Sequence, residues 1–78
     1  MDNWQHIQLT LSQNGFGVKI PCSVKFKGMK HHKEGYFIKT FDVNMGGENI
    51  MFHYTDSKNI RAIRHISGNF NKPEDIII

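Results

Sequence analysis

An alternating stretch, residues 16–27, constrains the fold of this chain more than any other feature. Every second position in it is apolar, namely Phe16, Val18, Ile20, Cys22, Val24 and Phe26. Because successive side chains of a β-strand point to opposite faces, the pattern predicts a long strand with an apolar inner face and a basic outer face. Pro21 cannot donate to a strand ladder, so we expect an edge position or a bend at that residue.

Four further segments also have strand character. Residues 4–11 alternate apolar and polar side chains, and Asn14-Gly15 is the favoured pair for a type I′ turn, which predicts a hairpin with the long strand. Residues 36–43 and 50–54 predict two more strands. Residues 60–66 are ambiguous, because Ile60, Ile63 and Ile66 are three apart as in a helical turn. The segment is too short for a stable helix, so we expect a short closing strand entered through a 3₁₀ turn. The sequence therefore predicts an all-β domain spanning residues 1–78, a five-stranded antiparallel meander closed as a small SH3-like or OB-like barrel. Residues 67–78 form a polar tail ending in three isoleucines, either an extra edge strand or a sticky end.

The positive charge is concentrated in one part of the chain. Residues 16–40 hold six lysines and one acid, whereas the other residues hold four basic groups and six acids. Such asymmetry favours an acidic partner. We therefore predict a non-enzymatic module that binds RNA or single-stranded DNA through lysines on phosphates and aromatic rings on bases. The predicted contact residues are Lys19, Lys25, Lys27, Lys30, His31, His32, Lys33, Tyr36, Lys39, Arg61 and Arg64.

Catalytic and metal-binding patterns are missing from the sequence. No nucleophile lies in a recognisable triad motif, and no glycine-rich phosphate loop precedes a helix. Five histidines include His53 and His65, which a hairpin brings together, but no spaced Cys/His signature supports zinc. We expect no cofactor, no metal and a single buried thiol at Cys22. No signal peptide or membrane span is evident, so a cytoplasmic location is the default.

The segment 39–45, Lys-Thr-Phe-Asp-Val-Asn-Met, resembles the Sm-like RNA-binding motif, in which an apolar strand ends in aromatic-Asp-x-x-Met-Asn. Residues 24–28 and 35–37 are similar to that family's strand, turn and glycine-led strand, so the resemblance covers about a third of the chain. It implies a bent five-stranded Sm-like barrel, RNA binding and ring assembly. Four features depart from the family: Gly46 replaces the final Asn, the loop between Gly28 and Gly35 is longer than usual, Ala62 follows Arg61 where the second motif has Gly, and a predicted strand replaces the leading helix.

A second function stays open from the sequence. Small β domains also act as protein-binding modules or inhibitors that dock through strand edges. Here an acidic protein, or a second copy in a homo-oligomer, would meet the strand edges and the C-terminal isoleucine tail. Binding that weakens with salt would favour nucleic acid, and stable co-elution with a protein would favour this alternative.

Overall fold

The computed structural model describes residues 2–67 and 70–78, with the backbone alone at Met45. Within them, one helix and five strands follow each other along the chain: α1 (Asn3–Gln13), β1 (Lys19–Lys25), β2 (Lys33–Asp42), β3 (Gly47–Thr55), β4 (Arg61–Ile66) and β5 (Asp75–Ile77). The strands form one antiparallel sheet in the order β4-β3-β2-β1-β5. The predicted five-stranded antiparallel sheet is thus confirmed. The sheet is not closed, because β4 and β5 lie at opposite edges, and the predicted closed barrel is not supported.

The first segment is a helix, so the predicted opening strand and its hairpin are wrong. Asp2 caps α1 and forms a capping box with Gln5, which satisfies two free backbone N–H groups. Asn14, predicted to lie in a type I′ turn, is instead the C-cap. Trp4, Ile7 and Leu11 are three and four residues apart, and α1 buries all three against the sheet. Ile7, Leu9 and Leu11 also fit a period of 2, which explains the error.

The central strand is shorter than residues 16–27. Strand β1 keeps the predicted alternation, with Cys22 and Val24 buried, and Phe26 directly after it is buried too. Phe16 and Val18, however, precede the strand and are 51% and 39% exposed. Four of the six apolar positions therefore face inward, because the chain between α1 and β1 turns away from the core before the strand begins.

The fifth strand comes from the C-terminal tail rather than from the N-terminal segment. β5 pairs with β1 from Ser23 to Lys25, the part of β1 that follows Pro21. Its Ile76 is buried, and the Asn3 side chain of α1 donates to the Ile76 carbonyl at 2.7 Å. The isoleucine tail is thus an edge strand in its final residues. Gly68 and Asn69 of the predicted tail lie outside the described residues.

The core lies between α1 and the sheet. Trp4 packs on Phe37 with ring centroids 5.7 Å apart, and Phe37 packs on Phe52 at 4.8 Å. Both phenylalanines are fully buried. We call the sheet face that carries these side chains the inner face and the opposite one the outer face. α1 covers the inner face, so the outer face is the part of the sheet left for other contacts.

Candidate nucleic-acid interface

Four of the eleven predicted contact residues lie on the outer face. In β1, Lys19 and Lys25 alternate with the buried residues and therefore point outward. Tyr36 in β2 lies opposite Pro21 of β1, and Arg61 begins β4 at an outward position. Lys19, Tyr36 and Arg61 converge around one side chain of β3, described below.

Three predicted residues occupy the alternate strand positions that face inward. They therefore lie on the inner side of the sheet, away from Lys19. Lys33 is paired with a buried residue of β1, and Lys39 lines a groove beside α1. Arg64 places its guanidinium carbon 4.8 Å from the ring centroid of the buried Phe26. Alternation within the strands already indicated this face for Lys39, which is two residues from Phe37 and Phe41, and for Arg64, which is two residues from Ile66.

The loop residues form a separate group near β5. Lys27, Lys30 and His31 are exposed between β1 and β2. His32 contacts Asp75 of β5, with 2.7 Å between Nε2 and Oδ2, and the same aspartate is the register partner of Lys25. The expected continuous row of lysines along the central strand is therefore interrupted by an acid at its C-terminal end.

A stacked aromatic pair occupies the centre of the outer face. Tyr36 and His53 are register partners in β2 and β3, and their rings are nearly parallel, 9° apart in plane with centroids 5.0 Å apart. Lys19 places its Nζ 4.7 Å from the Tyr36 ring centroid, and Arg61 donates from Nη2 to the Tyr36 hydroxyl at 3.0 Å. We call these four side chains the aromatic cluster: Lys19, Tyr36, His53 and Arg61.

His53 is held neutral by its surroundings. Both imidazole nitrogens are covered, and neither has a hydrogen-bond partner in the described residues. Burial lowers the pKa of His53 below its ordinary value of 6.5, and the positive charges of Arg61, Lys19 and His65 lower that pKa further. At neutral pH the cluster therefore presents an uncharged ring between two cations. The sequence placed His53 on the outer face but could not reveal that its strand partner is aromatic.

A groove of about 200 Å³ opens beside the aromatic cluster. Glu34, Gly35 and Thr55 line it together with Tyr36, His53, Tyr54 and Arg61. Gly35 allows β2 to approach β3 closely, because a Cβ atom there would lie 2.0 Å from the His53 carbonyl oxygen. Gly35 lies in the lining of the groove between Glu34 and Tyr36, so the close approach of β2 and β3 occurs at the groove itself.

In the described residues, the lysine and arginine side chains have no carboxylate partner. Among residues 2–67 and 70–78, His32–Asp75 is the only ion pair within 4.0 Å, so none of the ten lysines and arginines is paired with a carboxylate. Three of these side chains lie over aromatic rings instead: Lys19, Lys39 and Arg64. A phosphate approaching the outer face therefore has no internal carboxylate to displace from Lys19 or Arg61.

The segment that resembles the Sm-like motif, residues 39–45, forms the end of β2 and the turn that leads to β3. Asp42 accepts from the Asn44 backbone N–H at 2.9 Å and begins a short 3₁₀ turn, Val43–Met45. Gly46 follows with φ 90°, in the left-handed region that glycine and, less readily, asparagine adopt. The glycine and the family's asparagine therefore suit the same backbone. The Met45 side chain lies outside the description.

In the part of the chain that the structure describes, no group of three or more His, Cys, Asp and Glu side chains is placed to hold a metal ion. His53 and His65 are both outward-facing residues on neighbouring strands, but no third ligand joins them.

Cys22 is buried, and burial raises the pKa of its thiol to about 11. α1 has 11 residues, whereas a membrane-spanning helix needs about 20. Among the described residues, no helix is long and apolar enough to cross a membrane.

Neither a protein-family model, nor a curated protein, nor a solved structure matches this chain. Its function is therefore inferred from the geometry of its own residues.

Proposed function

We propose that this protein binds single-stranded nucleic acid, RNA or DNA, on the outer face of its sheet and performs no catalysis. The observation that carries the proposal is the Tyr36–His53 ring stack with Lys19 and Arg61 beside it. Aromatic rings give bases a surface for stacking, and the two cations neutralise the phosphates that flank a stacked base.

Binding requires one side-chain exchange. The Lys19 ammonium covers the exposed face of the Tyr36 ring, since His53 covers the other face. An exposed cation–π contact is worth about 0.5–1 kcal/mol, whereas stacking of one base contributes about 1–3 kcal/mol. A base can therefore replace Lys19 on the ring, and the released ammonium can contact a phosphate.

The Sm-like resemblance gives independent support. The strand predicted for residues 4–11 was one of four departures from that family, and α1 now stands where the family has its leading helix. Gly46 in a left-handed conformation weakens a second departure. The long loop between Gly28 and Gly35 and the altered second motif at Arg61-Ala62 stay departures, and the sheet is open where the family has a barrel. We therefore do not extend the proposal to ring assembly.

The proposal is tested by fluorescence anisotropy with labelled single-stranded RNA and DNA of mixed sequence. Two phosphate contacts, from Lys19 and Arg61, predict that affinity falls roughly 7-fold between about 50 and about 200 mM salt. Lys19→Glu should weaken binding and flatten this dependence, and Tyr36→Leu should weaken binding roughly 5-fold or more through lost stacking. Lys72→Glu is the control, because it makes the same charge change on an exposed residue near the start of α1.

Two results would refute this function. One is the absence of salt-sensitive binding to any single strand at micromolar concentration. The other is an equal loss of affinity in Lys72→Glu and Lys19→Glu, which would mean that net charge rather than the aromatic cluster holds the ligand.

A protein partner is the second candidate, and the free strand edges favour it. Ile63 of β4 is 47% exposed, and Ile77 of β5 is 55% exposed. In the described residues, each of these strands has a neighbour on one side only. Open edges with apolar side chains can add a strand from another chain. Sedimentation over a wide range of concentrations, and co-purification of a protein that resists salt, would support this role.

A further inference from the structure

We infer that the groove beside the aromatic cluster recognises a guanine base, an inference that rests on the proposed binding of single-stranded nucleic acid. The groove holds donors and acceptors that can read the edge of a base, and it is bordered by the Tyr36 ring, on which the base stacks once Lys19 is displaced. Its lining therefore predicts a base preference as well as general affinity.

Glu34 and Arg61 both line the groove without pairing with each other. Within the described residues, the ion pair closer than 4.0 Å is His32–Asp75. The Glu34 carboxylate and the Arg61 guanidinium therefore have no charged partner among these residues. Arg61 has five N–H donors, and one is committed to the Tyr36 hydroxyl. That bond holds the guanidinium beside the stacking ring, with donors left over for a ligand.

Guanine is the base whose edges match this arrangement. Its N1–H and N2–H groups are adjacent donors that a carboxylate accepts together, and its O6 and N7 are acceptors that arginine contacts in a bidentate manner. Adenine and cytosine would each place a ring-nitrogen acceptor against the Glu34 carboxylate, which is repulsive. Uracil has a single N–H between two carbonyl acceptors, so it satisfies the carboxylate only once.

The placement of Glu34 also fits a role in specificity better than one in affinity. It faces outward next to Gly35, on a surface where Lys19 and Arg61 attract phosphate. A carboxylate there opposes the phosphate backbone, and its removal should strengthen non-specific binding. A guanine edge would compensate for that repulsion, because charge-assisted hydrogen bonds are stronger than neutral ones.

The test uses four labelled RNA decamers of uridine that carry G, A, C or U at one central position. The G decamer should bind more tightly than the other three by roughly 5- to 150-fold, the range given by a bidentate contact. A fifth decamer carries inosine, which lacks the N2 amino group, and should bind with intermediate affinity. Glu34→Gln should reduce the preference for G roughly 5-fold or more, leaving only the part that Arg61 supplies, and should leave the affinity for the all-U decamer unchanged or raised.

Glu48→Gln is the matched control, since Glu48 is an exposed glutamate of β3 that lines the groove beside α1 instead. It should leave the preference for G intact. Because Glu34 is exposed, its variant should keep the native Trp4 fluorescence, which verifies the fold.

Each other outcome overturns a defined part of the proposal. Equal binding of all four decamers, or a preference for another base, refutes guanine recognition and leaves the proposed function standing. A preference for G that Glu34→Gln leaves unchanged refutes the assignment to this groove. No binding to any decamer refutes both the inference and the function.

Discussion

Gly35 is the residue at which one added methyl group should damage both the fold and the candidate site. In the substitution Gly35→Ala, the new Cβ would lie 2.0 Å from the His53 carbonyl oxygen and 2.9 Å from the Phe52 ring. Contacts of Cβ atoms under 3.0 Å essentially never occur. Because the oxygen belongs to the backbone of β3, the strands must separate by about 1 Å.

The cost follows from what that separation breaks. A ladder bond of about 2.9 Å would lengthen to about 3.9 Å, which is no longer a hydrogen bond. Loss of two such bonds costs about 1–3 kcal/mol, and displacement of the fully buried Phe52 ring adds about 1–3 kcal/mol. We therefore expect the free energy of unfolding to fall by about 2–6 kcal/mol. A chain of 78 residues has about 4–12 kcal/mol in total.

Urea unfolding, followed by Trp4 fluorescence and circular dichroism, measures this loss. With a slope of about 1 kcal/mol per molar urea, the midpoint should fall by roughly 2 M or more. Gly15→Ala is the control, because no atom lies within 4 Å of its added Cβ and its φ is not positive. It should leave stability unchanged or raise it by about 0.4–1 kcal/mol. A Gly35→Ala midpoint within about 0.5 M of the wild type would refute the close strand approach.

Three further predictions concern single side chains. Asp2→Ala removes the N-cap of α1 and should lower the free energy of unfolding by about 1 kcal/mol, whereas Asp2→Asn should cost less, as urea titration would show. Cys22 should react with a thiol reagent only after unfolding, because it is buried and its pKa is about 11; rapid labelling of the native protein at pH 8 would contradict this. The folded-state pKa of His53 lies below 6.5, so the unfolded chain binds its proton first and stability should fall as pH drops below 6.5. Compared with wild type, His53→Gln should lose less stability between pH 7.5 and pH 5.5, and equal losses would refute the lowered pKa.

The strands were largely predictable because alternation is a local signal. β1 to β3 follow from period-2 patterns that turn residues interrupt, whereas β4 was expected because residues 60–66 are too short for a stable helix. Each of these four predicted segments overlaps the observed strand. The helix was missed since Ile7, Leu9 and Leu11 fit a period of 2, whereas Trp4, Ile7 and Leu11, with the capping box of Asp2 and Gln5, fit an α-helix. An open rather than closed sheet depends on where α1 and β5 pack, which no local pattern specifies.

The candidate site was predictable in its residue types and not in its geometry. Lys19, Tyr36 and Arg61 were all among the predicted contacts, because basic and aromatic residues favour nucleic acid from composition alone. Their convergence depends on register, since a slip of one residue would move Tyr36 to the inner face and separate it from His53. Lys39 and Arg64, by contrast, are each two residues from a buried residue of their own strand, so alternation alone could have excluded them from the outer face.

The Asn3–Ile76 hydrogen bond ties together two ends of the chain that are 73 residues apart in sequence. β5 has only three residues, so it gains much of its order from that bond, from the Glu74 N–H on the Lys25 carbonyl and from the His32–Asp75 pair. Local unfolding of the first turn of α1 would therefore break the hydrogen bond to β5, and the two segments should unfold locally together. A tag or fused domain attached beside α1 or β5 would therefore disturb the Asn3–Ile76 hydrogen bond. That bond lies at the edge of the sheet opposite to β4 and Arg61.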